Sequence, residues 1–174
     1  MRGIVGLYLK NPELQPLLGR MFKPMLIEMT SRGPDSAGVA IYRNPVEQGQ
    51  TKFSLSHDDP GFSWKTLETK LAAALHCDVS VTQVATHCIL VTDAEESGVV
   101  GWLQSRHPEV RIVGSGQSIE IFKEVGLPET VYEKFDLNEA SGTHMIGHTR
   151  MATESAVTTA GSHPFATGAD LCLV

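Results

Sequence analysis

The opening run, Met1-Arg-Gly-Ile-Val-Gly-Leu-Tyr-Leu9, constrains the fold more than any other stretch. Ile4, Val5, Leu7, Tyr8 and Leu9 are apolar at both side-chain parities, so the run reads as a strand buried on two faces. First residues fray in solvent unless something ties them down. A sheet must therefore be built around this segment, and Gly3 and Gly6 leave room for another backbone or a ligand to approach it.

The rest of the chain supplies elements that could surround such a strand. Asn11 and Pro12 suit a helix start, and Leu14, Leu17, Leu18, Met21, Phe22, Met25, Leu26 and Met29 repeat at helical spacing on one stripe. Pro16 and Pro24 each remove a backbone donor, which predicts a late start and a kink near Lys23. Ala37 to Tyr42 reads as a strand, with Thr51 to Ser56 as its hairpin partner. Ser63 is placed to cap a helix that carries Trp64, Leu67, Leu71, Ala74 and Leu75 inward. From about 79 to 128 the pattern is that of a small α/β insertion running strand, helix, strand, helix. Asp93 and Glu96 have capping-box spacing, and Ile119, Phe122 and Val125 form the last helical stripe. Gly114-Ser-Gly-Gln-Ser118 resembles a phosphate-cradling loop in position but fits no phosphate-binding motif, and reads as a turn. His144 to Thr149 is strand-like, Arg150 to Ser162 is a polar loop, and Ala169 to Val174 begins another strand. Stopping inside an apolar strand reads as a domain cut short.

Composition excludes several functions. The 174 residues carry a net charge of -6 without a basic tract, so nothing attracts a nucleic-acid backbone. There is no run of the ~20 apolar residues that a membrane span needs and no signal-peptide pattern, which places the chain in the cytoplasm and away from membranes. Cys77, Cys88 and Cys172 are odd in number and lack CxxC spacing, so they are expected reduced and buried rather than as a disulfide framework or a zinc site. His144 and His148 lie four apart on a strand, without helical ligand geometry, and no metal or cofactor is expected.

Chemistry concentrates in two polar clusters. Arg150 ends a strand before a loop rich in Thr and Ser, and its planar guanidinium matches both oxygens of a carboxylate. Four segments in order, Gly3-Ile-Val-Gly-Leu7, Arg32-Gly-Pro-Asp-Ser-Ala-Gly38, Gly147-His-Thr-Arg-Met-Ala-Thr153 and Ser162-His-Pro-Phe165, resemble class II glutamine amidotransferase domains. The resemblance covers both ends of the chain and leaves roughly residues 44 to 142 without a family motif. Thr153-Glu-Ser155 and the middle segment look most like glutaminase subunits of glutamate-synthase-like enzymes such as N-methylglutamate synthase.

The resemblance implies a four-layer αββα sandwich of the N-terminal nucleophile hydrolase type, here one C-terminally truncated domain over 1–174 with the 79–128 insertion. It implies L-glutamine as substrate and synthase subunits as partners receiving ammonia. In that family a cysteine, exposed as residue one with its own α-amine as base, attacks the glutamine side-chain amide. By motif, Arg150 would grip the α-carboxylate, Thr153 would line the same pocket, and Arg32 with Gly33 would support the nucleophile's turn. His148 would be a buried structural histidine. Two departures stand out: Arg2 occupies the nucleophile's position, and the sequence stops before the family's His-Asn-Gly oxyanion motif. Arginine has no nucleophilic form at useful pH. The expectation is therefore an amidotransferase domain that does not hydrolyse glutamine, with a non-catalytic glutamine- or carboxylate-binding regulatory subunit as the alternative.

Overall fold

The computed structural model describes residues 2–152 and 156–174. In chain order its strands are β1 (Arg2–Tyr8), β2 (Ser36–Tyr42), β3 (Thr51–Ser56), β4 (Val79–Val84), β5 (His87–Thr92), β6 (Arg111–Gly116), β7 (Ile119–Val125), β8 (His144–Arg150), β9 (Phe165–Gly168) and β10 (Leu171–Leu173). Its α-helices are α1 (Leu18–Glu28), α2 (Trp64–Leu75), α3 (Glu96–Arg106) and α4 (Pro128–Lys134). All strand pairs are antiparallel, in one sheet ordered β1-β8-β2-β7, a second ordered β4-β5-β3-β6, and the β9–β10 hairpin. The result is a mixed α+β protein compatible with a layered sandwich.

Helices α1 and α4 cover one face of the first sheet. Phe22 and Leu26 of α1 join Val131, Tyr132 and Phe135 over Val39, Ile41, Phe122 and Met145 in one buried cluster. Helices α2 and α3 cover the outer face of the second sheet, where Leu67, Leu71, Val99 and Leu103 meet Phe53, Leu55, Cys88 and Leu90. Gly147 lets α1 lie close, because a Cβ there would meet Leu26 and Phe22 at under 3 Å. The inner row of β3 reaches across to β7, whose Ile121 N–H donates to Ser54 Oγ at 2.9 Å.

The opening strand lies beside the strand that ends at Arg150, as the sequence implies, but at the edge of its sheet rather than in its middle. It is also buried on one face only. Gly3, Val5 and Leu7 turn toward the helical layer, while Ile4 and Tyr8 are 55% and 62% exposed on the other face. The helix after it starts late, as its prolines dictate. Asn11 caps a 3-10 turn over Pro12–Leu17 by accepting from Glu13 N–H, and the α-helical ladder begins at Leu18. Of the apolar stripe, Leu18, Phe22 and Leu26 are buried, whereas Leu14, Leu17 and Met21 stay partly exposed.

Three other expectations change. Thr51–Ser56 does not pair with Ser36–Tyr42, because both edges of β2 are taken by β8 and β7. Ile119, Phe122 and Val125 lie on a strand, not a helix: Ile119 and Ile121 face one buried layer and Phe122 the other. Residues 79–128 consequently run strand, strand, helix, strand, strand into α4 and contribute to both four-stranded sheets. Asp93 does not cap α3, since its Oδ1 accepts from Asp78 N–H instead. Ser63 does cap α2, accepting from Thr66 N–H at 3.2 Å. All three cysteines are free thiols, and only Cys88 is fully buried. No helix among the described residues is long and apolar enough to cross a membrane.

Candidate functional site

The pairing of β1 with β8 decides which side chains meet. Arg2 is the Cα partner of Arg150, Gly3 of Thr149 and Ile4 of His148, so Arg2, Arg150 and His148 project from one face of the sheet. Thr149 points the other way, fully buried, and its Oγ1 donates to Met29 O at 3.0 Å. Gly3 sits against this bond, where a Cβ would approach Thr149 Oγ1 and the Met29 side chain at under 3 Å. A side chain at position 3 would push β1 off the turn that follows α1.

That turn, Met29–Arg32, leads into Gly33 and Asp35, which close on the end of β8. Gly33 packs directly on the backbone of Thr149 and Arg150, where no Cβ fits. Asp35 N–H donates to Arg150 O at 3.1 Å, and Asp35 Oδ2 accepts from Ala152 N–H at 2.8 Å. Arg32 is exposed on the same turn. Thr153 lies outside the described residues.

The Ser162-His-Pro-Phe165 segment seats on the same sheet face as Arg2 and Arg150. Gly38 on β2 makes room for it, since a side chain there would collide with the His163 carbonyl. Lys123, 6% exposed on β7, donates through Nζ to Ser162 O at 2.8 Å and Pro164 O at 3.2 Å, and lies over the Phe165 ring at 4.6 Å. Burial without a carboxylate partner pushes its pKa down to about 8. The His163 ring stacks on His148 with centroids 4.2 Å apart. One residue earlier, Gly161 O accepts from Arg150 Nη1 at 2.9 Å.

His148 is 1% exposed, and neither of its ring nitrogens has a hydrogen-bond partner among the described residues. Burial is the main cause that pushes its pKa down to about 4, helped by the charges of His163, Arg2 and Arg150. Held neutral, the ring stacks on His163 against this face of the sheet. His163 is lowered by burial and then by Arg2, Lys123 and Arg150. Guanidiniums on two adjacent strands and an ammonium on a third thus share this face of the sheet.

Sequence reasoning brought Arg2, Gly33 and Arg150 to one place and missed Lys123 and Asp35 as their supports. Lys123 was hidden by the helical reading of β7, while the turn chemistry of Asp35 was visible without its target. Gly114–Ser118 held a surprise of a different kind. Its backbone N–H groups do cradle an anion, but the anion is internal: Asp170 Oδ2 accepts from Gln117 N–H at 2.9 Å and Oδ1 from Ser118 and Ile119 N–H at 2.8 and 2.9 Å. Burial alone would raise the Asp170 pKa; the three N–H groups outweigh it and hold the carboxyl below its usual range.

These features describe a mixed α+β protein in which β1 and β8 bring Arg2 and Arg150 to one strand end. No protein-family model matches the chain. It is 49% identical, over its whole length, to the glutamine amidotransferase-like protein GlxB of Rhizobium meliloti, of which it covers 58%. It is 31% identical over 95% of its length to a protein of Methanothermobacter thermautotrophicus provisionally named a glutamine amidotransferase, of which it covers 56%. The chain therefore spans a little over half the length of these relatives. Both relatives are named for glutamine amidotransferases, and the match to the Rhizobium protein runs the whole length of this chain.

Proposed function

We propose that the chain is the glutamine-site domain of a class II amidotransferase, built on the N-terminal nucleophile hydrolase plan, and that it holds its amino-acid ligand without hydrolysing it. The observation that carries this reading is the pairing of Arg2 directly opposite Arg150, with Gly33 and Gly161 packed around the same strand end. Arg150 offers a planar fork for an α-carboxylate and would fix the ligand's backbone. The side chain would then point along β1 toward position 2, where hydrolysis needs a nucleophile. Arginine cannot supply one, since its guanidinium carries five donors, no acceptor and no accessible deprotonated form. Thr153 would line the pocket beside Arg150, and Arg32 would flank the supporting turn. In a longer protein, the partners fitting this reading are synthase subunits that receive ammonia, as in N-methylglutamate synthase-like enzymes.

Arg2→Cys tests the reading. A small second residue favours removal of Met1, which would leave a thiol and a free α-amine on one residue. Incubation with a glutamine-like electrophile such as diazo-oxo-norleucine should then give a single covalent adduct by mass spectrometry. Adding Arg150→Ala should abolish labelling, because an ungripped ligand is no longer held for attack. A chain that loses its methionine yet never labels, or labels equally well without Arg150, would refute the proposed site.

A further inference from the structure

We infer that Lys123 is a carbonyl-reactive amine, and that the small pocket it lines between the two sheets receives an aldehyde, which the amine captures as an imine. The inference stands apart from the glutamine site and uses neither Arg2 nor Arg150. The pocket has a volume of about 220 Å³, with walls from Ser56 of β3, Ile112 and Val113 of β6, Lys123 of β7, and Thr159 and Phe165 beyond them. A cavity of about 150 Å³ already takes up benzene, so a small aldehyde fits here. None of the residues lining the pocket is acidic, and its other cation, Arg111, is engaged by Asp58.

An ordinary lysine is a poor nucleophile at neutral pH, because its ammonium has three donors and no lone pair. Lys123 is set apart by its surroundings. It is 6% exposed, and its bonds run to the carbonyls of Ser162 and Pro164 rather than to a carboxylate. A neutral amine can make both bonds with its two hydrogens, and no described group donates to the lone pair that remains. Burial acts in the same direction by lowering its pKa to about 8, as it does for lysines that form Schiff bases. Lys52 is the contrast: it is buried too, but faces Glu120 Oε1 at 2.9 Å, a partner that favours the charged form. Ser56 supplies the second part of the site. It is 3% exposed, yet its Oγ makes no hydrogen bond among the described residues, whereas the Thr159 hydroxyl is committed to Glu124. The Ser56 hydroxyl is therefore available to donate to the oxygen of a bound carbonyl and polarise it. Nζ then attacks the carbonyl carbon, a C–N bond forms, and the two amine hydrogens leave with the carbonyl oxygen as water. No oxidant or reductant is consumed.

Reductive trapping on the intact chain tests this. Propanal and cyanoborohydride are added at about pH 7.5, and the alkylated lysines are located by peptide mapping and mass spectrometry. At that pH an amine of pKa about 8 is neutral on the order of a hundredfold more often than one at the ordinary value of about 10.4. Lys123 should accordingly be alkylated at least about tenfold faster than the exposed Lys10, Lys65 and Lys70, while Lys52 stays unmodified. Ser56→Ala should slow capture at Lys123 without moving it to another residue. Ala166→Leu, which fills the pocket from β9, should slow Lys123 severalfold and leave the exposed lysines unchanged, with circular dichroism melting confirming that each variant is folded. If Lys123 in the wild-type chain is alkylated no faster than the exposed lysines, the inference is overturned. It is equally overturned if Lys123 reacts fast but folded Ala166→Leu does not slow it, since the pocket then plays no part. Neither result bears on labelling of the Arg2→Cys chain, so the two readings fail separately.

Discussion

Two buried lysines, both on strands next to the junction of the sheets, have opposite surroundings. Lys52 is 3% exposed and fully answered: Nζ donates to Glu120 Oε1 at 2.9 Å and to the carbonyls of Arg43 and Asn44, while Arg43 binds the other Glu120 oxygen at 2.7 Å. Lys123 is also buried, but among the described residues its ammonium meets carbonyl oxygens and an aromatic face, on the sheet face that also carries Arg2 and Arg150. The first region balances its charge within the fold. The second places its buried ammonium against backbone carbonyls and a ring, so its charge is met by dipoles rather than by a described carboxylate.

The largest effect that would sharpen this contrast comes from removing the balancing carboxylate. Glu120→Ala should destabilise the chain by about 3–5 kcal/mol in denaturant unfolding, because Lys52 and Arg43 would remain buried or half-buried without their partner. Replacing Lys52 by Met together with Glu120 by Leu should cost much less. A loss below about 1 kcal/mol in the single variant would show that the paired region is no more dependent on charge balance than the unpaired one.

Acidification probes two buried neutral histidines: His148 beside Arg2 and Arg150, and His87, which packs against Phe122 and Phe135. His87 and His148 are buried with pKa values pushed down to about 4, against an ordinary value of 6.5. The unfolded chain therefore binds protons first as pH falls below about 6.5, so stability is intact above that value and is lost progressively down to pH 4. The loss should be on the order of 2–3 kcal/mol for each ring. Melting curves between pH 4 and 7 for His148→Asn and His87→Asn against wild type would measure it, with a flatter pH dependence expected for each variant.

The smallest effect concerns Lys123 itself. Its folded pKa of about 8 lies below the ordinary lysine value, so the unfolded state binds the extra proton between about pH 8 and 10.4 and stability should rise with pH across that window. Lys123→Met should remove the rise and change stability at pH 7 by only about 1 kcal/mol, since a strained buried charge is lost along with its hydrogen bonds. An identical alkaline profile for variant and wild type would show that Lys123 is charge-compensated after all and would break the comparison.

Legibility in the sequence followed the range of the interaction. The opening strand, the cap at Ser63, the late helix start after Pro12 and the strand ending at Arg150 rest on local pattern, and the structure reproduces each. The edge position of β1 was not legible, because apolar residues at both parities look the same whether a second layer covers them or not. β7 was misread because Glu120 and Lys123 are both buried, which erased the alternation that marks a strand. The motifs brought Arg2 and Arg150 together. Nothing in them reveals that Lys123, from a stretch without family motif, would hold the Ser162–Phe165 segment in place. The capture of Asp170 by Gln117, Ser118 and Ile119 spans more than fifty residues of sequence, and no local signal encodes it.

The double anchoring of Arg150 has a thermodynamic consequence. Asp35 and Gly33 fix its backbone from one segment of the chain, and Gly161 holds its Nη1 from another. A free arginine side chain carries about 2 kcal/mol of rotamer entropy, which a ligand must freeze out before its contacts count. Here the bond from Nη1 to Gly161 O already restrains the side chain before any ligand arrives. A carboxylate bound at Arg150 should accordingly carry a smaller entropic penalty than one bound at an unrestrained surface arginine.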